Sequence, residues 1–227
     1  MDLFDVIGPV MVGPSSSHTA GAARIGKITR RLLGCKPMRA RIGLYGSFQK
    51  TYLGHGTDKA LVGGLLGMNV DDLRLRNSLE IARQEGLEYS FYPAELRHAH
   101  PNTVVLEVEG EDGRQLTVQA SSVGGGEIRV NAIDGLEAGF SGHENTIVLT
   151  YADTRGMIAA ISKQVSEAHL NIATMRVFRD TQGGKAIMAL ELDGEAPEEL
   201  LRALSHLRDV YRVAYLPAAE ESTSCEP

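Results

Sequence analysis

Apolar and polar residues change period several times along this chain, and each change marks an element. Between Met38 and Gly46, Ala40, Ile42 and Leu44 alternate with Arg39, Arg41 and Gly43, the two-residue period of a strand. Just before it, AGAARIGKITRRLLG (residues 20–34) repeats at helical spacing through Ile25, Ile28, Leu32 and the stem of Arg24. Its basic residues fall late, where the helix dipole favours them. A second helix is predicted after His55, capped by Thr57 or Asp58 and burying Leu61, Leu65 and Leu66. SLEIARQEG (78–86) reads as a short helix. LEYSFYP, NTVVLEVEG, RQLTVQASSVGGG and EIRVNAIDG then follow as four β-rich runs, and GFSGHEN breaks the pattern as a linker.

The remaining order is cleaner. TIVLTYA is a strand, and DTRGMIAAISKQVSEAHL is a helix with Ile158, Ile161, Val165 and Ala168 as its stripe. NIATMRVFRD and KAIMALELDG are strands joined by TQGG, a favoured hairpin turn. PEELLRALSHL is a helix opened by Pro197, with Leu200, Leu204 and Leu207 on one side, and VYRVAYL closes the unit. The order βαββαβ is the ferredoxin-like split unit. The predicted class is therefore α+β, with one domain over 1–140, a second over 145–217 and a flexible tail over 218–227.

Composition narrows the function. With 227 residues, 43% hydrophobic and 23% charged, the chain can bury a real core. No apolar run approaches the roughly twenty residues of a membrane span, and the start MDLFDVIGPV lacks a basic leader, so a cytoplasmic protein is expected. A formal net charge of -6 argues against nucleic acid as main partner; Arg30, Arg31, Lys36, Arg39 and Arg41 read as a solvated local cluster. Cys35 and Cys225 form no CxxC pair and do not suffice for a thiolate-held metal or cluster; Cys225 reads as exposed and incidental.

The candidate chemistry sits where helices begin. GPSSSHTAG (13–21) places Ser15, Ser16, Ser17, His18 and Thr19 at the start of the first helix, where unpaired N–H groups and the dipole attract an anion. Ser17 or Thr19 is the expected cap. GHGTDK repeats the device: glycine, His55, a hydroxyl, a helix start. If both starts face one cleft, it holds two imidazoles that titrate near neutrality, several hydroxyls and Lys59, a site for a small zwitterion or carboxylate. HAHPNT, with His98, His100 and Asn102, reads as a turn, and Gly124–Gly126 as a bulge or tight crossing. A metal hydrolase built on His18, His55, His98 and His100 lacks any HExxH-type cluster.

GPSSSHTAGAARIG, GHGTDKALVGG, HPNT and SVGGGEIRVNAIDG, in this order, resemble the β subunit of bacterial iron-sulfur L-serine dehydratases, and the tail unit with DTRGMIAAIS resembles an ACT domain. The resemblance implies an N-terminal serine dehydratase beta-type domain, similar to allosteric substrate-binding domains, followed by an ACT amino-acid-binding domain. It implies a lyase that deaminates L-serine to pyruvate and ammonia, with a [4Fe-4S] cluster held by a separate alpha chain and no metal on this one. His18 and His55 become the candidate catalytic residues, one of them the base for the Cα proton. Ser15, Ser16, Ser17 and Thr19 would hold the substrate carboxylate, Lys59 would balance its charge and Asp58 would orient an imidazole. Asp153, Arg155, Gly156, Met157 and Asn171 match the effector positions of ACT relatives, with serine itself as the candidate effector and an oligomer formed through both domains. The alternative is a non-catalytic amino-acid sensor, because the first region also resembles the allosteric domain of some phosphoglycerate dehydrogenases.

Overall fold

A computed structural model describes residues 11–218, and compactness divides them after Asp134 into two units. The first opens with a wide π-helical turn, Ser16–Ala20, that runs directly into α1 (Gly21–Leu33). Strand β1 (Pro37–Leu44) follows, then α2 (Ser47–His55), α3 (Thr57–Leu65) and the short α4 (Ser78–Gln84). β2 (Glu88–Pro93), β3 (Thr103–Gly110), β4 (Gln115–Gly124) and β5 (Glu127–Ile133) complete the first unit, whose strands lie in the order β2-β1-β3-β4-β5. β1 runs parallel to β2 and antiparallel to β3, and β3, β4 and β5 form an antiparallel meander.

Register puts one face in the core. Ile42 pairs with Leu106, Leu106 with Val118 and Val118 with Ile133, a buried row across four strands. The neighbouring row carries Arg41, whose guanidinium meets Glu107 at 2.9 Å on the exposed face. α1 packs on β4 and β5 and crosses α3 at close range. The crossing is made by glycines: a Cβ on Gly26 would overlap the Leu61 carbonyl, and one on Gly64 the Ala23 carbonyl. With no side chain at either position the backbones touch, which holds the two helices close together.

The second unit opens with β6 (Leu136–Phe140) and runs β7 (Asn145–Ala152), α5 (Met157–Glu167), β8 (Ile172–Arg179), β9 (Lys185–Leu192), α6 (Glu198–Ser205) and β10 (Val210–Leu216). Its antiparallel sheet has the order β10-β7-β9-β8, the expected split βαββαβ arrangement. Ile147, Leu149 and Tyr151 of β7 pack with Met188 and Leu190 of β9, Ile161 and Val165 of α5, and Leu200 and Leu204 of α6.

Five points differ from expectation. The first cap is Ser15, not Ser17 or Thr19, because the π turn starts the helical path earlier than the apolar period does. Neither Thr57 nor Asp58 caps α3; left-handed Gly56 both ends α2 and begins α3. Helix α2 itself is unexpected, since it buries little besides Phe48 and so shows no apolar stripe; β6 likewise takes up part of the expected linker. Ile158 is 49% exposed, and the buried stripe of α5 begins one residue earlier, at Met157, then Ile161 and Val165.

Candidate active site

The π turn, the two ends of α2 and the start of α3 converge on two imidazoles. His18 and His55 lie with ring centroids 4.8 Å apart, edge to face at 69°, and Phe48 flanks His18 at 5.3 Å. The turn is anchored locally: the Ser15 hydroxyl accepts from the His18 N–H at 3.1 Å, and the Ser16 carbonyl accepts from Gly21 N–H, the five-residue reach of a π turn. Buried Thr19 donates its hydroxyl to the His55 carbonyl at 3.1 Å, tying the turn to the end of α2. Both ring nitrogens of His18 have hydroxyl neighbours, Ser15 Oγ 3.4 Å from Nδ1 and Ser47 Oγ 3.0 Å from Nε2. Burial first, and then the neighbouring His55, lower the His18 pKa below its ordinary 6.5, which favours the neutral imidazole.

Among the described residues, His55 Nδ1, Thr57 Oγ1 and Asp58 Oδ1 on these segments, with Asn102 Oδ1 and Ser122 Oγ on two others, are buried and have no hydrogen-bond partner. Native interiors rarely leave such groups unsatisfied, and their concentration here is what a ligand-binding region requires. Asn102 and Ser122 join through the HPNT loop: Ser122 N–H donates to the Asn102 carbonyl at 2.9 Å, and Ser122 Oγ abuts Gly21, where a Cβ would overlap it.

Of the sequence-selected residues, His18, His55, Ser15 and Thr19 are therefore brought together by direct contacts. Ser16 and Ser17 are half-buried in the same turn. Asp58 is buried at the start of α3, its carboxyl raised mainly by desolvation, and its Oδ1 meets no imidazole. Lys59, the next residue, is exposed, turned about 100° from Asp58 around the helix. Ser47 and Ser122 escaped the sequence reading. The one available signal for Ser47 was its place after Gly46 at a strand end. His98 and His100 lie in the turn expected for HAHPNT: His98 has φ 56° and His100 Nδ1 accepts from Asn102 N–H at 3.2 Å, both features of a turn. Gly124, Gly125 and Gly126 all have positive φ and make the β4–β5 turn, whose last carbonyl accepts from Arg24 at 2.9 Å.

In the second unit, Asp153 accepts from Arg179 at 2.8 Å and from Gly183 N–H at 3.1 Å; these bonds, led by the backbone one, hold its carboxyl below the usual range. It latches the β8–β9 hairpin. Arg155 is exposed, left-handed Gly156 opens α5, and Met157 points into the core. Asn171 donates Nδ2 to Asp193 at 2.6 Å, which leaves its oxygen as the acceptor an ammonium needs.

Fold and contacts together define a two-unit α+β protein that carries a hydroxyl-lined imidazole pair in its first unit and a ferredoxin-like sandwich as its second. Residues 1–85 match the family model described as serine dehydratase beta chain. The chain is 39% identical over 211 residues to a probable L-serine dehydratase, beta chain, of Bacillus subtilis (strain 168), covering 93% of this chain and 96% of that one. It belongs to the L-serine dehydratase beta-chain family. It is also 28% identical over 156 residues to a D-3-phosphoglycerate dehydrogenase of the same organism, covering 68% of this chain and 30% of that protein. The chain is also similar to the ACT domain from the GTP pyrophosphokinase of Chlorobium tepidum, at 21% identity and a TM-score of 0.28, over 32% of this chain and 95% of that one.

The described residues do not fit an iron-sulfur cluster. Cys35 is the one cysteine among them, and it donates to Asp112 at 3.3 Å; no group of three His, Cys, Asp or Glu able to hold a metal ion occurs among them. Cys225 and the rest of the expected tail beyond residue 218 lie outside the described residues. No described helix is long and apolar enough to cross a membrane.

Proposed function

We propose that this chain is the beta subunit of a two-chain L-serine dehydratase that converts L-serine to pyruvate and ammonia, with the iron-sulfur cluster on a separate alpha chain. The observation that carries the reading is the His18–His55 pair, 4.8 Å apart, in a chain of this family. Elimination begins with removal of a weakly acidic Cα proton, for which a neutral imidazole is the suited base, and burial with the neighbouring His55 favours the neutral form of His18. One imidazole of the pair takes the proton; departure of the β-hydroxyl is the alpha chain's part. The hydroxyls of Ser15, Ser16 and Ser17 face the substrate carboxylate, and Thr19 fixes the spacing of the pair through the His55 carbonyl.

The test is pyruvate formation from L-serine under anaerobic, iron-replete conditions, with this chain alone and with the cysteine-bearing chain that co-purifies with it. Pyruvate only in the combined sample is expected. A stable complex with an intact cluster and no pyruvate would overturn the reading in favour of an amino-acid sensor, for which the phosphoglycerate dehydrogenase likeness is the supporting observation.

The second unit is proposed to bind a small amino acid, with serine as candidate. The α5 start at Gly156–Met157 would receive its carboxylate and Asn171 its ammonium, while Asp153 holds the hairpin and Arg155 lies exposed beside the helix start. Calorimetric titration of the full chain with L-serine should show a binding heat that Asn171→Ala reduces at least tenfold in affinity. Equal affinity in that variant would remove the assignment.

A further inference from the structure

We propose that Ser47 is a positioning residue for His18: its hydroxyl donates to Nε2 and holds the imidazole in the Nδ1–H tautomer. The contact is direct, 3.0 Å from Ser47 Oγ to His18 Nε2. Its polarity follows from where Ser47 sits. Ser47 is the first residue of α2, a helix of nine residues, and the positive end of a helix favours a lone pair facing it over an N–H. Nε2 is then the acceptor, so the ring proton is on Nδ1, where Ser15 Oγ lies 3.4 Å away.

The support behind Ser47 is rigid. Ser47 N–H donates to the Pro101 carbonyl at 2.7 Å and Phe48 N–H to the same oxygen at 3.5 Å, so the HPNT loop occupies the first donors of α2. Gly46, with φ 62° and ψ -119°, is in a region reserved for glycine, and a Cβ there would stand 2.9 Å from Pro101 Cα. The Phe48 and His55 rings flank the imidazole. His55 is the titratable group in ring contact with it. Of the other elements packed on the turn, α1 carries Arg24, engaged with Gly126 and Glu127, α3 begins with Asp58 and Lys59, and β4 brings Ser121 and Ser122.

The consequence for catalysis rests on the dehydratase reading: Nε2 carries the ring's one lone pair, and the Ser47 hydroxyl turns off it when that lone pair takes the Cα proton. The tautomer itself does not rest on that reading. With the full chain labelled with ¹⁵N-histidine, NMR should show His18 Nε2 unprotonated and Nδ1 protonated at neutral pH. Ser47→Ala removes a donor to the neutral ring, so Nε2 should gain proton character and the His18 midpoint should rise by roughly half to one pH unit. Ser47→Thr, which keeps the hydroxyl, should restore both. A protonated Nε2 in the native chain, which needs no variant to observe, overturns the proposal, as does a folded Ser47→Ala with unchanged tautomer and midpoint. Absence of pyruvate in the native complex would instead sink the dehydratase reading and leave the tautomer result standing.

Discussion

Replacing His18 with alanine lowers pyruvate formation by the complex by roughly 10²–10⁴-fold, the usual worth of a positioned general acid or base. The melting temperature and capture of the alpha chain should stay near native values, because His18 is half-buried and the turn is held by Ser15, Thr19 and Gly21 rather than by its ring. Native turnover in this variant would remove the imidazole pair from the chemistry and favour the sensor reading.

The pH dependence gives the same residue a second signature. A base works when deprotonated, so the acid limb of activity in the native complex should lie below pH 6.5, the ordinary value from which burial and then His55 lower His18. His55→Ala removes the second cause and should move that limb up, whatever it does to the maximum rate. Stability follows with a fixed sign. Between the lowered folded value and 6.5 the unfolded chain binds more protons, so stability rises with pH through that window and is lost on acidification. His18→Ala should flatten that part of the curve.

The sequence disclosed the parts of the fold that follow a period. The alternation over Met38–Gly46 became β1, and the tail unit appeared with every strand in its expected order, because its helices each bury one stripe and its central strands β7 and β9 read as nearly continuous apolar runs. Helix α2 was illegible for the opposite reason: Leu53 is 72% exposed and Phe48 alone is fully buried, so nothing in SFQKTYLGH repeats. At the site, His18 and His55 were legible as two histidines in the same local setting. Ser47, Asn102 and Ser122 come from three separate segments, and their meeting depends on the HPNT loop seating against α2 and on the contact of Ser122 with Gly21. Spacing along a chain carries no record of such tertiary contacts. The cap was misplaced for a local reason, since a π turn shifts the helical register by one residue and an apolar period counted at 3.6 does not see it.

The second large effect should come from a residue with no chemistry. Gly64→Val places a Cβ inside the α1–α3 crossing, where it would overlap the Ala23 carbonyl and stand 2.8 Å from Lys27 N and 2.9 Å from Gly26 Cα. These are backbone atoms of a helix and cannot rotate aside, so the helices must separate. Overpacking of flexible side chains costs about 1–3 kcal/mol, and a backbone clash belongs at or above the top of that range. The first unit should then melt roughly 10 °C or more lower, a shift read by calorimetry. Because α1 continues from the π turn and α3 follows His55 by one residue, the same separation pulls the two imidazoles apart. Gly64→Val should therefore lose activity at temperatures where it is still folded, with a weakened Thr19–His55 link as the route. Native melting together with native turnover would show that the crossing can relax without cost, and that the glycine contact does not set the spacing of the pair.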